Sequence, residues 1–314
     1  MLETHETISG EETGEPGAGK PRVEREFTVK ERSYWQMAGR RFLRHRGAVV
    51  SLFVFILLVV FAFVGEKVWH YKWNGNFIDY RDISKAPSLK HPFGTDERYD
   101  WMAEVMRGTQ QSLKVAFIIA LLGTGAGAVW GVVSGYFGGF IDSALMRLAD
   151  LVLTVPPLAL AAALAYSGGG KLWQIGVVLG AVSAPYVARV VRGVVLSLRE
   201  REFIEAARAL GASNLRIMWR HLLPNTTPVL IVNATLLIAT GILAETALSY
   251  VGFGIQSPDT SLGILISHAQ GAVTTRPWLF YFPGLFIILI ALSVSFIGDG
   301  LRDALDPRQT RERR

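Results

Sequence analysis

The 314-residue sequence predicts an all-α, polytopic membrane protein with six transmembrane helices, and three observations carry that prediction. Half of the residues are hydrophobic, the mean hydropathy is +0.31 and only 18% are charged, below the ~25% usual in soluble domains. The apolar residues gather in uncharged runs at 47–65, 115–141, 151–170, 172–188, 222–244 and 277–298. Each approaches the about 20 residues that a helix rising ~1.5 Å per residue needs to cross a ~30 Å hydrocarbon core. Finally, Lys and Arg cluster before the first run, around the fourth and fifth, and after the sixth. Six threaded spans put all three clusters on one side, and such an excess marks the cytoplasmic side, so both chain ends are expected there. The net charge of +6 is thereby read as orientation and not as a nucleic-acid surface.

In chain order, residues 1–32 are polar and aperiodic and are expected to form a disordered cytoplasmic leader. The first apolar run starts behind this leader, without the small-residue cleavage site of a signal peptide. Within the leader, Gly14-Glu15-Pro16-Gly17-Ala18-Gly19-Lys20 imitates a phosphate-binding loop. Pro21 stands where a Ser or Thr would reach Mg²⁺, and no apolar strand precedes the motif. Residues 33–112 are read as one region: a short helix, the first span and an extracytoplasmic segment. Across 33–46, Tyr34, Trp35, Met37, Phe42 and Leu43 alternate with basic residues, which suits either an amphipathic helix on anionic lipid or a plain basic flank. Trp69, Tyr71, Trp73 and Phe77 beyond the first span read as interfacial anchors or as substrate contacts.

The core of five further spans is assigned to 113–306, leaving 307–314 as a cytoplasmic tail. Gly123, Gly127 and Gly131 recur every four residues, with Gly135 and Gly139 following, so one helix face is free of side chains and another backbone can approach it. Gly138-Gly139 are placed at a turn. Pro156-Pro157 interrupt the third run, and carbonyls freed in this way can face a cavity. Glu245 is the one acid inside apolar sequence; it either lines a translocation path, as Pro156 and Pro157 also could, or hydrogen-bonds a neighbouring helix. Asp142, Arg147 and Asp150, at the turn between the second and third spans, are expected to form ion pairs around the 202–222 segment and not a substrate site. Cysteine is absent and the six histidines are scattered, so no catalytic set and no metal site is expected.

The most informative segment is the elbow at 202–222 and the residues around it. Phe203, Ala207 and Leu210 repeat at helical spacing, as do Leu215, Met218 and Leu222, and Gly211 separates the two pieces. Ser213 reads as the N-cap of the second piece and Pro224 as its end. This stretch resembles the EAA signature of importer-type ABC permeases, carried by Glu205, Ala206, Ala207, Gly211, Leu223 and Pro224 at matching spacing, with His221 where isoleucine is usual. Two further stretches resemble the second permease subunit of the dipeptide/oligopeptide/nickel branch: 298–308 (GDGLRDALDPR) and 91–96 (HPFGTD). After the latter, Glu97-Arg98-Tyr99-Asp100 replaces the usual Gly-Arg-Asp, and Gln110 and Gln111 stand where a basic residue is common. The resemblance covers about residues 33–308.

The resemblance implies a type I ABC importer permease fold in the inner membrane of a prokaryote. It implies that 202–222 is a coupling helix, with Leu210, Leu215 and Met218 joining the motif residues against an ATPase. It implies a homologous second permease, two ABC ATPase subunits that bind the ATP and Mg²⁺, and an extracytoplasmic substrate-binding protein. This chain would then carry no cofactor and no enzymatic activity of its own. The substrate would be di- or oligopeptides, with nickel chelates or glutathione as alternatives within the branch. An ion-coupled secondary transporter is the more distant alternative; it calls for several buried acids and an internal repeat, whereas one such acid and no repeat are found.

Overall fold

The computed structural model describes residues 34–74, 79–166 and 171–306. The leader with its phosphate-loop mimic, Phe77 and the tail from 307 lie outside the described residues. Among the described residues the chain is helical, with no named strand.

A short helix α1 (Tyr34–Arg44) leads into α2 (Arg46–Val68), whose last turns include a π-helical segment at Phe61–Gly65. His45 stands between them and accepts a hydrogen bond from the Ala48 N–H. A folded cap follows, and then α3 (Trp101–Phe137), which begins at Asp100, whose carboxylate accepts the Ala103 N–H as an N-cap. Gly138 and Gly139, at φ +67° and +52°, turn the chain into α4 (Gly139–Thr154). After the break at Pro156 comes α5 (Pro157–Tyr166), then α6 (Leu172–Leu198), the elbow helix α7 (Glu202–Ala209) and α8 (Asn214–Tyr250). The last two helices are the short α9 (Leu262–Ala269) and α10 (Trp278–Leu305).

Five helices, α2, α3, α6, α8 and α10, are long and apolar enough to cross a bilayer. The expected third span is not one straight helix: α4 and α5 together supply up to a sixth crossing, bent by 88°. The cause is Pro156-Pro157, which remove consecutive N–H donors and bias the preceding residue away from helical angles; Val155 is extended at ψ 134°. The same helix corrects the second run, whose Phe140 and Ile141 belong to α4. Asp142, Arg147 and Asp150 therefore lie on a helix, and two of them clamp it to α6. Arg192 donates Nε and Nη2 to Asp142 at 2.5 Å each, and Arg189 pairs with Asp150.

The packing centre is α3 against α6. A Cβ added at Gly127 would lie 2.7 Å from the Ala184 carbonyl oxygen, at Gly131 2.5 Å from that of Ala188, and at Gly123 3.2 Å from that of Gly180. The glycine face thus lets two backbones touch over about two turns, with Val187, Val191 and Val195 filling the remainder. At the far side, Gly300 of α10 meets the Ala48 methyl of α2 and the Phe42 ring of α1, and Arg41 Nη1 donates to the Asp306 carbonyl at 3.3 Å. The start of α2 and the end of α10 therefore share one end of the bundle, together with the elbow.

The opposite end carries the cap, and it shows what residues 91–96 do. His91 Nδ1 lies 2.7 Å from Asp100 Oδ2, wholly buried, and Trp69 Nε1 donates to Asp100 Oδ1 at 3.0 Å. Thr95 Oγ1 donates to the Asp82 carbonyl at 2.6 Å, and the Asp96 carboxylate accepts the Arg98 and Tyr99 N–H groups at 2.6 and 2.7 Å. Phe93 stacks on Phe282 at 4.1 Å, and Gly94, at φ +76°, leaves room for the Trp278 ring. The motif is a fastener that seats the cap on α10 and starts α3.

Candidate functional site

The elbow is built from two helical pieces joined at Gly211, whose φ of +80° lies in the left-handed region that glycine adopts without strain. Nothing lies within 4 Å of a Cβ placed there, so the backbone angle alone restricts the position. Ser213 caps the second piece by accepting the Arg216 N–H. Beyond it, the expected stop at Pro224 does not occur. The helix runs on from Asn214 to Tyr250 through a π-helical turn, Met218–Leu222, in which the Leu223 N–H reaches the Met218 carbonyl. That wider turn loosens the ladder just ahead of Pro224, which lacks an N–H and would crowd the carbonyl four residues back in a regular helix.

The apolar residues of the elbow divide between two surfaces. Ile204, Ala207, Ile217, Met218 and Leu222 are buried against Val132 and Tyr136 of α3 and Val191 and Val195 of α6. Tyr136 Oη donates to Asn214 Oδ1 at 2.7 Å, and the Arg208 guanidinium sits 5.5 Å from the Tyr136 ring centre. Glu205, Ala206, Leu210 and Leu215 face outward, as does Phe203; Leu210 is 88% exposed and Leu215 62%. Leu223 is half-buried and Pro224 exposed. The regular stripe read from spacing is therefore corrected: Ala207 and Met218 point into their own chain while Phe203 and Leu210 do not. Sequence spacing counts α7 as an isolated cylinder, whereas the ends of α3 and α6 decide which side is covered.

This arrangement has a mechanical consequence. The inward residues weld the elbow to the same two helices that the glycine face locks together. A displacement of α7 is thus carried into α3 and α6 as a unit, because close-packed apolar contacts do not deform gradually.

Among the remaining candidates, Glu245 is wholly buried near the cap end of α8. Ser112 Oγ of α3 donates to it at 2.8 Å and Ser249 Oγ at 2.6 Å, and Ser112 Oγ also accepts the Leu262 N–H at the start of α9. The carboxylate ties α8 to α3 directly and, through Ser112, to the start of α9. Pro156 and Pro157 are exposed at the bend. Gln110 and Gln111 are also structural: Gln110 Nε2 donates to the Ala62 carbonyl at 2.6 Å, and Gln111 reaches Asp259. Among the described residues no group of three His, Asp or Glu side chains could hold a metal ion.

Residues 127–311 match the family model described as binding-protein-dependent transport system inner membrane component. The chain belongs to that family. Residues 33–89 of this permease match a second model, the N-terminal TM domain of oligopeptide transport permease C. The permease is 41% identical over 278 residues to the oligopeptide transport system permease protein OppC of Mycobacterium tuberculosis, covering 88% of this chain and 95% of that one. It is 36% identical over 286 residues to the protein of the same name from Haemophilus influenzae, covering 90% and 91%. Its fold matches a chain of the inward-facing MetNI methionine ABC transporter with a TM-score of 0.54 at 23% identity, over 65% of this permease and 97% of that chain. The permease is a multi-pass inner-membrane subunit of a binding-protein-dependent ABC importer, a class that works with an ATPase and a substrate-binding protein.

Proposed function

We propose that this permease forms half of the path of an ATP-driven peptide importer, beside a homologous second permease, and that its elbow docks on one of two ATPase subunits. The observation that carries the reading is the exposed apolar surface of Phe203, Leu210 and Leu215 on an elbow clamped to its own core. Large apolar side chains held rigidly outward are what a partner groove buries. The peptide class is supported by the names of the relatives, which are oligopeptide permeases over nearly their whole length. Nickel chelates and glutathione are the alternatives within the branch.

In this reading the elbow end is cytoplasmic, with both chain ends, and the cap end meets the binding protein. ATP and Mg²⁺ are held by the ATPase subunits and not by this chain. Closure of the ATPase dimer moves α7, and the welded α3–α6 pair carries the movement across the membrane. The exposed bend at Pro156-Pro157 lies toward the second permease and contributes to the path; Glu245 holds the helices together beside it.

Extraction of the permease from its native membrane in mild detergent, followed by identification of the co-purifying proteins, tests the assembly. The expected set is a homologous permease and ABC ATPase subunits in stoichiometric amounts. Recovery of the chain alone, with full extraction of intact complexes of other kinds as a control, would contradict the reading.

A further inference from the structure

We propose that Glu104 anchors the free amino group of an incoming peptide in a cavity at the cap end of the bundle; this rests on the peptide-importer reading and adds a recognition site to it. The cavity has a volume of about 510 Å³ and lies between the start of α3, the end of α8 and the 251–261 loop that leads to α9. That is within the range of pockets that enclose small organic ligands. Its rim carries exposed Asn74, Gln256 and Pro258, and its deeper wall carries buried Trp101, Glu104 and Leu265.

Glu104 is 7% exposed and lines this cavity, and its carboxyl has no hydrogen bond or ion pair among the described residues. The acids around it are all engaged. Asp259 receives Arg107 Nε and Nη2 at 2.9 and 3.0 Å, Asp96 takes two backbone N–H groups, and Asp100 holds His91, Trp69 and the start of α3. Burial pushes the Asp259 carboxyl up, but the hydrogen bonds from Arg107 and Gln111 outweigh it and hold the group below its ordinary value. Arg107, three residues on, is thereby committed to Asp259, with its guanidinium also over the Trp73 ring at 4.4 Å.

Burial without a partner disfavours the charged form of such a carboxyl, and a cation placed against it offsets that cost. Its acidic neighbours repel anions and favour a cation. A metal ion is not the fit, since no three ligating side chains converge among the described residues. A primary ammonium needs only one carboxylate and donates three hydrogen bonds. One turn earlier on the same helix face, the buried Trp101 indole N–H also lacks a partner. A basic side chain of the binding protein is the competing occupant. The depth of Glu104, below an exposed rim, favours the small free ligand over a side chain tethered to a docked protein.

The test uses the complex of both permeases and the ATPase subunits in nanodiscs, titrated calorimetrically with trialanine and with N-acetyl-trialanine. Trialanine is expected to bind at least about tenfold more tightly than the acetylated peptide, the equivalent of one charge-assisted contact. Glu104→Gln should erase that preference by weakening trialanine alone, and Glu104→Asp should restore part of it. Equal binding of both probes by the unaltered complex, no binding of either, or an equal loss of both in Glu104→Gln would overturn the proposal. So would a Glu104→Gln complex that keeps the preference but loses affinity for the binding protein. Trialanine uptake into vesicles bearing the full set with its binding protein is measured in parallel. Uptake without an amine preference at the cavity removes only the site, whereas no ATP-driven uptake of trialanine removes the peptide reading as well.

Discussion

Gly131→Leu is expected to abolish assembly of a stable permease. An added Cβ at this position meets the Ala188 carbonyl oxygen at 2.5 Å and the Val191 Cβ at 2.7 Å, and neither atom moves with a rotamer change. Overpacking a close interface ordinarily destabilises by ~1–3 kcal/mol, and a leucine wedged between two helix backbones falls at about the upper end or beyond. The check is the yield of monodisperse complex in detergent and its thermal midpoint. Gly125→Leu is the control: it lies on the same helix, exposed, with nothing within 4 Å of an added Cβ, and should assemble normally. Equal yields for the two variants would mean that the glycine face does not hold α3 against α6.

Leu210→Asp is expected to leave the permease folded and to disconnect it from ATP hydrolysis. The side chain is 88% exposed in this chain, so its replacement should change permease stability by no more than about 0.5 kcal/mol. In the complex it would bury a charge in an apolar contact, and loss of a docking anchor of this kind removes ~2 kcal/mol or more, about 30-fold in affinity. Substrate-stimulated ATPase activity and uptake should fall together, while peptide capture by the binding protein is unchanged. Ala207→Arg is the wrong variant for this purpose, because Ala207 is buried against α3 and α6 and the change would damage the fold itself. If Leu210→Asp transports normally, the outward surface of the elbow is not the docking surface.

How far the fold could be read from the sequence depended on the range of the forces involved. The glycine face was legible because it is a period-four pattern on one helix, and its partner, α6, is likewise long and apolar. The turn at Gly138-Gly139 and the N-cap at Ser213 were legible because each follows from local backbone chemistry. Pro156-Pro157 announced a break, but not an 88° bend, since the angle depends on what α4 and α5 pack against. Pro224 misled for a related reason: a π-helical turn absorbs it, and nothing in the composition of 218–222 signals that turn.

The elbow motif itself was visible, but its inside and outside were not. Ile204 and Phe203 are neighbours of similar hydrophobicity, and only the ends of α3 and α6 determine that the first is covered and the second is not. The cap was recognisable at 91–96 only as a resemblance. Its role became clear through contacts such as Trp69 with Asp100 and Trp278 with Thr95, 31 and 183 residues apart. In the sequence Glu104 is an ordinary acid near a helix start. What sets it apart is the absence of a partner in a buried setting, and that is a property of the folded chain.

The central claim is that this permease carries peptides with energy delivered through its elbow. It is tested most directly by uptake of a radiolabelled tripeptide into vesicles reconstituted with the two permeases, the ATPase subunits and the binding protein. The account predicts accumulation that requires ATP inside the cytoplasmic-facing compartment, persists when ion gradients are collapsed, and disappears in the Leu210→Asp complex. Accumulation driven by an ion gradient without ATP, or undiminished in that variant, would contradict it.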